Sequence, residues 1–216
     1  MERDALDLGT EHVGRLFRKF FVPTLLGMLS ISAVTVADGI FVGHGVGSDG
    51  IAAINICIPL LMLFTGFGLM VGAGCSVVAS IHLARGKVKA ARLNVTQAFL
   101  FVTLVTLACS ASILGFVRPV AAWLGSSAHL LPMVVDYLWG FVPALVPQMW
   151  VAVGLFVVRL DGAPRLAMRC SVVSAVVNVV LDWIFVFPLG WGLMGAALAS
   201  TAAIVIGGTI VVIYLF

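Results

Sequence analysis

Six apolar stretches, each about 20 residues or longer, occupy most of this chain: about 20–43, 51–83, 93–117, 132–158, 166–188 and 192–216. A helix of that length, rising ~1.5 Å per residue, matches a hydrocarbon core ~30 Å thick. In lipid every backbone polar group must find its partner within the chain, so such runs fold as spanning helices. The residue balance agrees, because 62% of the residues are hydrophobic and only 10% are charged. A soluble domain with that ratio lacks the polar side chains to cover its surface. The sequence therefore predicts an all-α integral membrane protein, a bundle of six transmembrane helices at 20–216 behind an N-terminal segment 1–19. Its first partner is the lipid bilayer. A net charge of +3 gives no basis for nucleic-acid binding.

The positions of the charges set the expected orientation. Arg3, Arg15, Arg18 and Lys19 precede span one, and Arg85, Lys87, Lys89 and Arg92 lie between spans two and three. Arg159, Arg165 and Arg169 flank the junction of spans four and five, and only Arg118 falls on the other side. The positive-inside rule places that cationic side, and both termini, in the cytoplasm of a multi-pass protein of the cell (inner) membrane. The N-terminus carries mixed charge and has no small-residue cleavage site after a short apolar run, so no signal peptide is read there. Six spans with both ends on one side suit a unit that a second copy can follow in parallel, and the last apolar run reaches Phe216 without a basic flank. The sequence reads as one repeat of a larger assembly.

Within this apolar background, acids stand out. Asp182 lies in Asn178-Val-Val-Leu-Asp182 of span five, with Asn178 one turn before it on the same face. A charged carboxylate at bilayer depth costs on the order of 2.5–3.5 kcal/mol on insertion scales and calls for a partner. Asp38, in Val36-Ala-Asp-Gly-Ile-Phe-Val-Gly43 of span one, is the candidate. Counting residues from the outer helix ends puts Asp38, Asp182 and Ser200 at depths of about 8, 12 and 15 Å, heights at which neighbouring helices bring them together. Two adjacent carboxylates in low dielectric need a shared proton or a cation between them. The Asn178 carbonyl and the Ser200 hydroxyl complete an oxygen cage suited to H⁺ or Na⁺. The plain alternative is a polar cluster that holds helices together. Spacing leaves open whether span one lies beside spans five and six.

Other signals are weaker. Gly45-Val-Gly-Ser-Asp-Gly50 matches G-x-G-x-x-G, but no strand–turn–helix unit surrounds it, so it reads as a hairpin between spans one and two. No Walker A sequence is present to suggest an ATP-driven pump. Pro23, Pro143 and Pro147 lie inside spans and free backbone carbonyls, while Pro59 and the glycines of span two suggest a kink or tilt. Gly68-x-x-x-Gly72 and Gly192-Leu-Met-Gly-Ala-Ala-Leu-Ala-Ser200 offer small surfaces for close helix approach. Cys57, Cys75, Cys109 and Cys170 read as buried free thiols. Met28, Met62 and Met70 suit core packing or adaptable contacts to a bulky ligand. No cofactor motif and no Ser/His/Asp or Cys/His constellation supports an enzyme.

Several segments taken together resemble the multidrug and toxic compound extrusion (MATE) family, nearer its DinF/MepA-like branch. They are Val36–Gly43, Ala52-Ala-Ile-Asn-Ile56 followed by Pro59, Arg159-x-x-Gly162-x-Pro164, Asn178–Asp182 and Gly190-x-Gly-x-x-Gly195-Ala-Ala-x-Ala-Ser200. The resemblance implies the N-terminal six-helix lobe of a twelve-helix secondary antiporter driven by H⁺ or Na⁺. Such a protein exports small organic substrates, cationic or amphipathic, through a cleft shared with a second lobe. It implies that Asp38, Asn178, Asp182 and Ser200 hold the coupling ion, with Ser200 standing where relatives commonly carry Thr. It further implies that Pro23 bends the first helix, and Met28 is a candidate substrate contact. A lipid-linked oligosaccharide flippase of the same superfamily and a non-transporting membrane scaffold are the competing expectations.

Overall fold

The computed structural model describes residues 13–215, so Arg3 and the first twelve positions of the N-terminal segment lie outside the described residues, as does Phe216. Eight α-helices follow one another: α1 (Val13–Gly45), α2 (Ser48–Ala84), α3 (Val88–Gly115), α4 (Val117–Trp123), α5 (Leu131–Phe141), α6 (Leu145–Leu160), α7 (Pro164–Val186) and α8 (Gly192–Leu215). Six segments among them are long and apolar enough to cross a membrane, with α5 and α6 forming one of these across a 3-10 turn at Val142–Ala144. The chain is a multi-pass helical membrane protein. No strand occurs among the described residues.

Helix ends follow local chemistry. α1 is already helical at Val13, the first described residue, so part of the basic segment before the membrane is helical, and the apolar span begins at Phe20. α2 runs unbroken for 37 residues through Pro59, and α1 is likewise continuous through Pro23. The G-x-G-x-x-G match is the tight helical hairpin from α1 into α2. Between α6 and α7, Gly162 adopts φ +81°, a conformation L side chains avoid, and Pro164 opens α7 where no N–H is needed. The α7–α8 turn closes with Leu189 N–H on Ile184 O at 3.1 Å and Trp191 N–H on Phe185 O at 3.0 Å.

α1 packs chiefly along α7, and α7 along α8. α2 packs on α6 and α3, while α6 and α5 join that group to α8. The span order read from sequence left the neighbour of span one open; it is α7, with a smaller contact to α8. Because lipid tails are as apolar as leucine, close contact of small residues holds such helices together. Gly195, Ala196, Ala197, Ala199, Ala203, Gly207 and Gly208 form the buried side of α8. A β-carbon at Gly208 would meet the Pro147 carbonyl oxygen at 3.0 Å, and one at Gly72 would lie 3.1 Å from Ala152 O. Gly208→Leu therefore drives backbone apart, and we expect it to cost about 1–3 kcal/mol, read as a lowered midpoint in detergent unfolding. An unchanged midpoint would show that α8 can shift freely against α6.

Cys57, Cys75 and Cys170 are buried free thiols, whereas Cys109 is only half-buried. Met28, Met62 and Met70 are 60%, 63% and 65% exposed, so none of them packs in the core of this lobe.

Candidate functional site

Asp38, Asn178, Asp182 and Ser200 converge where α1, α7 and α8 meet, toward the end of the bundle away from the basic loops. α7 carries Asn178 and Asp182 one turn apart on its buried face, 3% and 0% exposed. Its neighbours α1 and α8 bring Asp38 and Ser200 to them, each half-buried. The side chains of Asp38 and Asp182 come within hydrogen-bonding reach of each other.

Asn178 links the group. Its carboxamide is oriented by what surrounds it. The nitrogen faces carboxyl oxygens, donating to Asp38 Oδ1 at 3.0 Å and to Asp182 Oδ2 at 3.3 Å, and its oxygen accepts from Ser200 Oγ at 3.1 Å. In the reverse orientation the amide oxygen would face two acceptors. Asp182 Oδ1 is buried and accepts no hydrogen bond. Buried polar atoms are normally satisfied, so this oxygen is the one position in the cluster left without a donor. One orphan oxygen, a second carboxyl, an amide and a hydroxyl form a hard donor set of the kind that suits Na⁺ or H⁺ better than a soft metal. Among the described residues, no group of three or more His, Cys, Asp or Glu could hold a metal ion.

Tyr137 of α5 belongs to the same neighbourhood and was absent from the sequence reading. It is 7% exposed, stacks on Phe141 with ring centroids 5.8 Å apart, and lies in electrostatic range of Asp38, Asp182 and Cys57. The depth count applied to the acids would have found it. Tyr137 is six residues beyond Leu131, about 9 Å along its helix, close to the height of Asp38.

Thr201, next to Ser200, has a separate task. Its hydroxyl donates to Gly140 O at 2.7 Å, just before the 3-10 turn that carries Pro143. Pro143 has no N–H to offer and the turn shifts hydrogen bonding to an i→i−3 pattern, so a side chain from another helix satisfies the backbone. Thr201→Val is expected to cost about 0.6–1.7 kcal/mol, and transport should persist, since Thr201 does not touch the acids. Equal losses for Thr201→Val and Ser200→Ala in a transport assay would contradict this division.

Pro23 is buried within α1, 15 residues before Asp38 and far along the helix from the acids. Met28 lies on the exposed side of α1. Neither joins the cluster.

Residues 23–184 match the MatE family model. The chain is 26% identical over 204 residues to an FAD transporter of Shewanella oneidensis, covering 92% of this chain and 44% of that protein. It is 27% identical over 203 residues to the multidrug export protein MepA of Staphylococcus aureus, covering 90% and 43% respectively. Among solved structures, a crystal structure of a MATE protein in complex with MaD3S superposes with a TM-score of 0.85 at 22% identity, covering 92% of this chain and 44% of that one. That likeness shows the fold. The chain spans about half the length of the curated relatives it matches, as one six-helix lobe does in a twelve-helix transporter. With the family model covering most of its length and half-length likenesses on every side, the chain belongs to the MatE family.

Proposed function

We propose that this lobe is the N-terminal, ion-coupled half of a secondary antiporter that exports drugs or other small organic compounds by alternating access. The observation that carries the reading is Asp182: fully buried, one oxygen accepting from Asn178, the other accepting from no donor, and a second carboxyl, that of Asp38, within hydrogen-bonding reach. A group so placed is expensive in either state of charge and is resolved by loading and unloading a proton or Na⁺. Loading changes the preferred packing of α1 against α7, and a two-state lobe then differs in its affinity for substrate. The second six-helix lobe supplies the facing wall, and the lipid bilayer of the cell membrane the surroundings. With eleven of the twelve Lys and Arg residues on one side, the termini face the cytoplasm and the acid site lies nearer the outer face.

The test is transport in vesicles containing the transporter, loaded with a fluorescent lipophilic cation and given either a pH gradient or a Na⁺ gradient. Gradient-driven loss of the dye supports the reading and identifies the ion. Loss that ignores both gradients overturns it. The likeness to an FAD transporter favours a second substrate class, flavin dinucleotides, which the same vesicles test by replacing the dye with FAD.

A further inference from the structure

At the basic end of the bundle the α2–α3 hairpin stands away from the ends of α6 and α8, leaving a cleft of about 610 Å³. Its walls are largely apolar, with Leu83 from α2, Val95 from α3 and Leu160 from α6. One cation, Arg92 near the start of α3, enters the lining. Arg92 is exposed and makes no ion pair among the described residues. Arg85, Lys87 and Lys89 stand exposed on and beside the adjoining turn. The lining acid, Asp161, accepts a hydrogen bond from the Tyr214 hydroxyl at 2.9 Å. The Thr96 hydroxyl is spent on Arg92 O of its own helix at 3.1 Å. The guanidinium is therefore the strongest donor the cleft offers a ligand.

An apolar slot with a cation at its mouth, level with the ends of spanning helices, has the polarity of an anionic amphiphile. A soluble metabolite would meet too few polar partners, and a cationic compound would meet four basic side chains against one acid. We propose that this cleft binds an anionic phospholipid from the leaflet on the basic side, its phosphate on Arg92 and an acyl chain along Leu83, Val95 and Leu160. Basic pockets between spanning helices have this chemistry. The bound lipid bridges α2 and α3 to the ends of α6 and α8. The inference stands apart from the transport reading, because it needs only the membrane position of the helix ends.

Native mass spectrometry of the purified transporter, with phosphatidylglycerol or phosphatidylcholine added to the detergent, tests it. Phosphatidylglycerol is expected to stay bound at voltages that strip phosphatidylcholine. Arg92→Gln should lower its retention about fivefold, one cation's worth of attraction to anionic lipid. Leu83→Trp, a change at an exposed position that fills the slot, should lower it similarly. Arg92→Lys should restore part of the loss, and Asp161→Asn should raise retention by removing the opposing charge. Circular dichroism checks that each variant is folded. Equal retention of the two lipids overturns the proposal, as does no retention of either. So does wild-type retention in both Arg92→Gln and Leu83→Trp, or a loss confined to Lys87→Gln/Lys89→Gln, which would mean diffuse surface attraction. Stabilisation by inorganic phosphate equal to that by phosphatidylglycerol would show a phosphate site and overturn the lipid assignment.

Discussion

Asp182→Asn is expected to abolish most gradient-driven export while leaving the lobe as stable as before, or more so. Asparagine keeps the size of the side chain and a carbonyl that can still accept from Asn178, at the 3.3 Å position now held by Oδ2. What it removes is the ability to take up a proton or balance a cation. Coupling free energies between two sites typically span about 1–3 kcal/mol, so losing the coupling group should lower ion-driven transport by about 5- to 150-fold. Stability should move the other way, since a buried carboxyl with an unsatisfied oxygen is replaced by a neutral group. The paired readout separates the two meanings of a buried acid. If Asp182 only glues α7 to its neighbours, Asp182→Asn will lower the unfolding midpoint and leave export intact. That result would sink the coupling reading. Asp38→Asn, made in a half-buried residue on a different helix, should reproduce the transport loss.

Much of this architecture is legible from sequence because lipid imposes simple rules. A run of apolar residues must be a helix, and a carboxyl inside one must have a reason, so the spans and the residues Asp38, Asn178, Asp182 and Ser200 can be named from residue order. The arrangement of helices is harder to read. The spanning part of α1 is predominantly apolar, and its apolar window is mostly exposed in this lobe. So few of its residues are buried that its sequence does not single out α7 as its neighbour. The same uniformity hides Met28, Met62 and Met70, whose exposure depends on which faces the other helices leave uncovered. The break at Val142–Ala144 could be suspected from Pro143. Its repair by Thr201 could not, because that needs the register of α8 against α5. Tyr137 was overlooked for a different reason: an aromatic residue in a spanning helix is unremarkable until its height is compared with that of the acids.

Asn178 should prove as critical as either acid, because it is the residue through which the others meet. Its nitrogen donates to Asp38 and Asp182 at once and its oxygen accepts a hydrogen bond from the Ser200 hydroxyl. Asn178→Leu keeps the branching and the number of heavy atoms and removes all three interactions. It leaves two carboxyls in reach of each other with no donor between them. Unsatisfied buried groups cost about 1–3 kcal/mol or more when charged, so a clear fall in the unfolding midpoint is expected together with at least a tenfold loss of export. Ser200→Ala, which removes one contact at the edge of the cluster, should cost only a few-fold, and Ser200→Thr should be near wild type. The decisive comparison is the double variant Asn178→Leu/Asp182→Asn. Residues that act as one unit are strongly non-additive, and removing the Asp182 carboxyl also removes one of the charges that Asn178→Leu strands. The double variant should therefore be more stable than the two single losses predict and no worse in transport than the weaker single variant. Strict additivity in both readouts would mean that Asn178 packs α7 against α8 on its own account, and that the four polar side chains share a location without sharing a function.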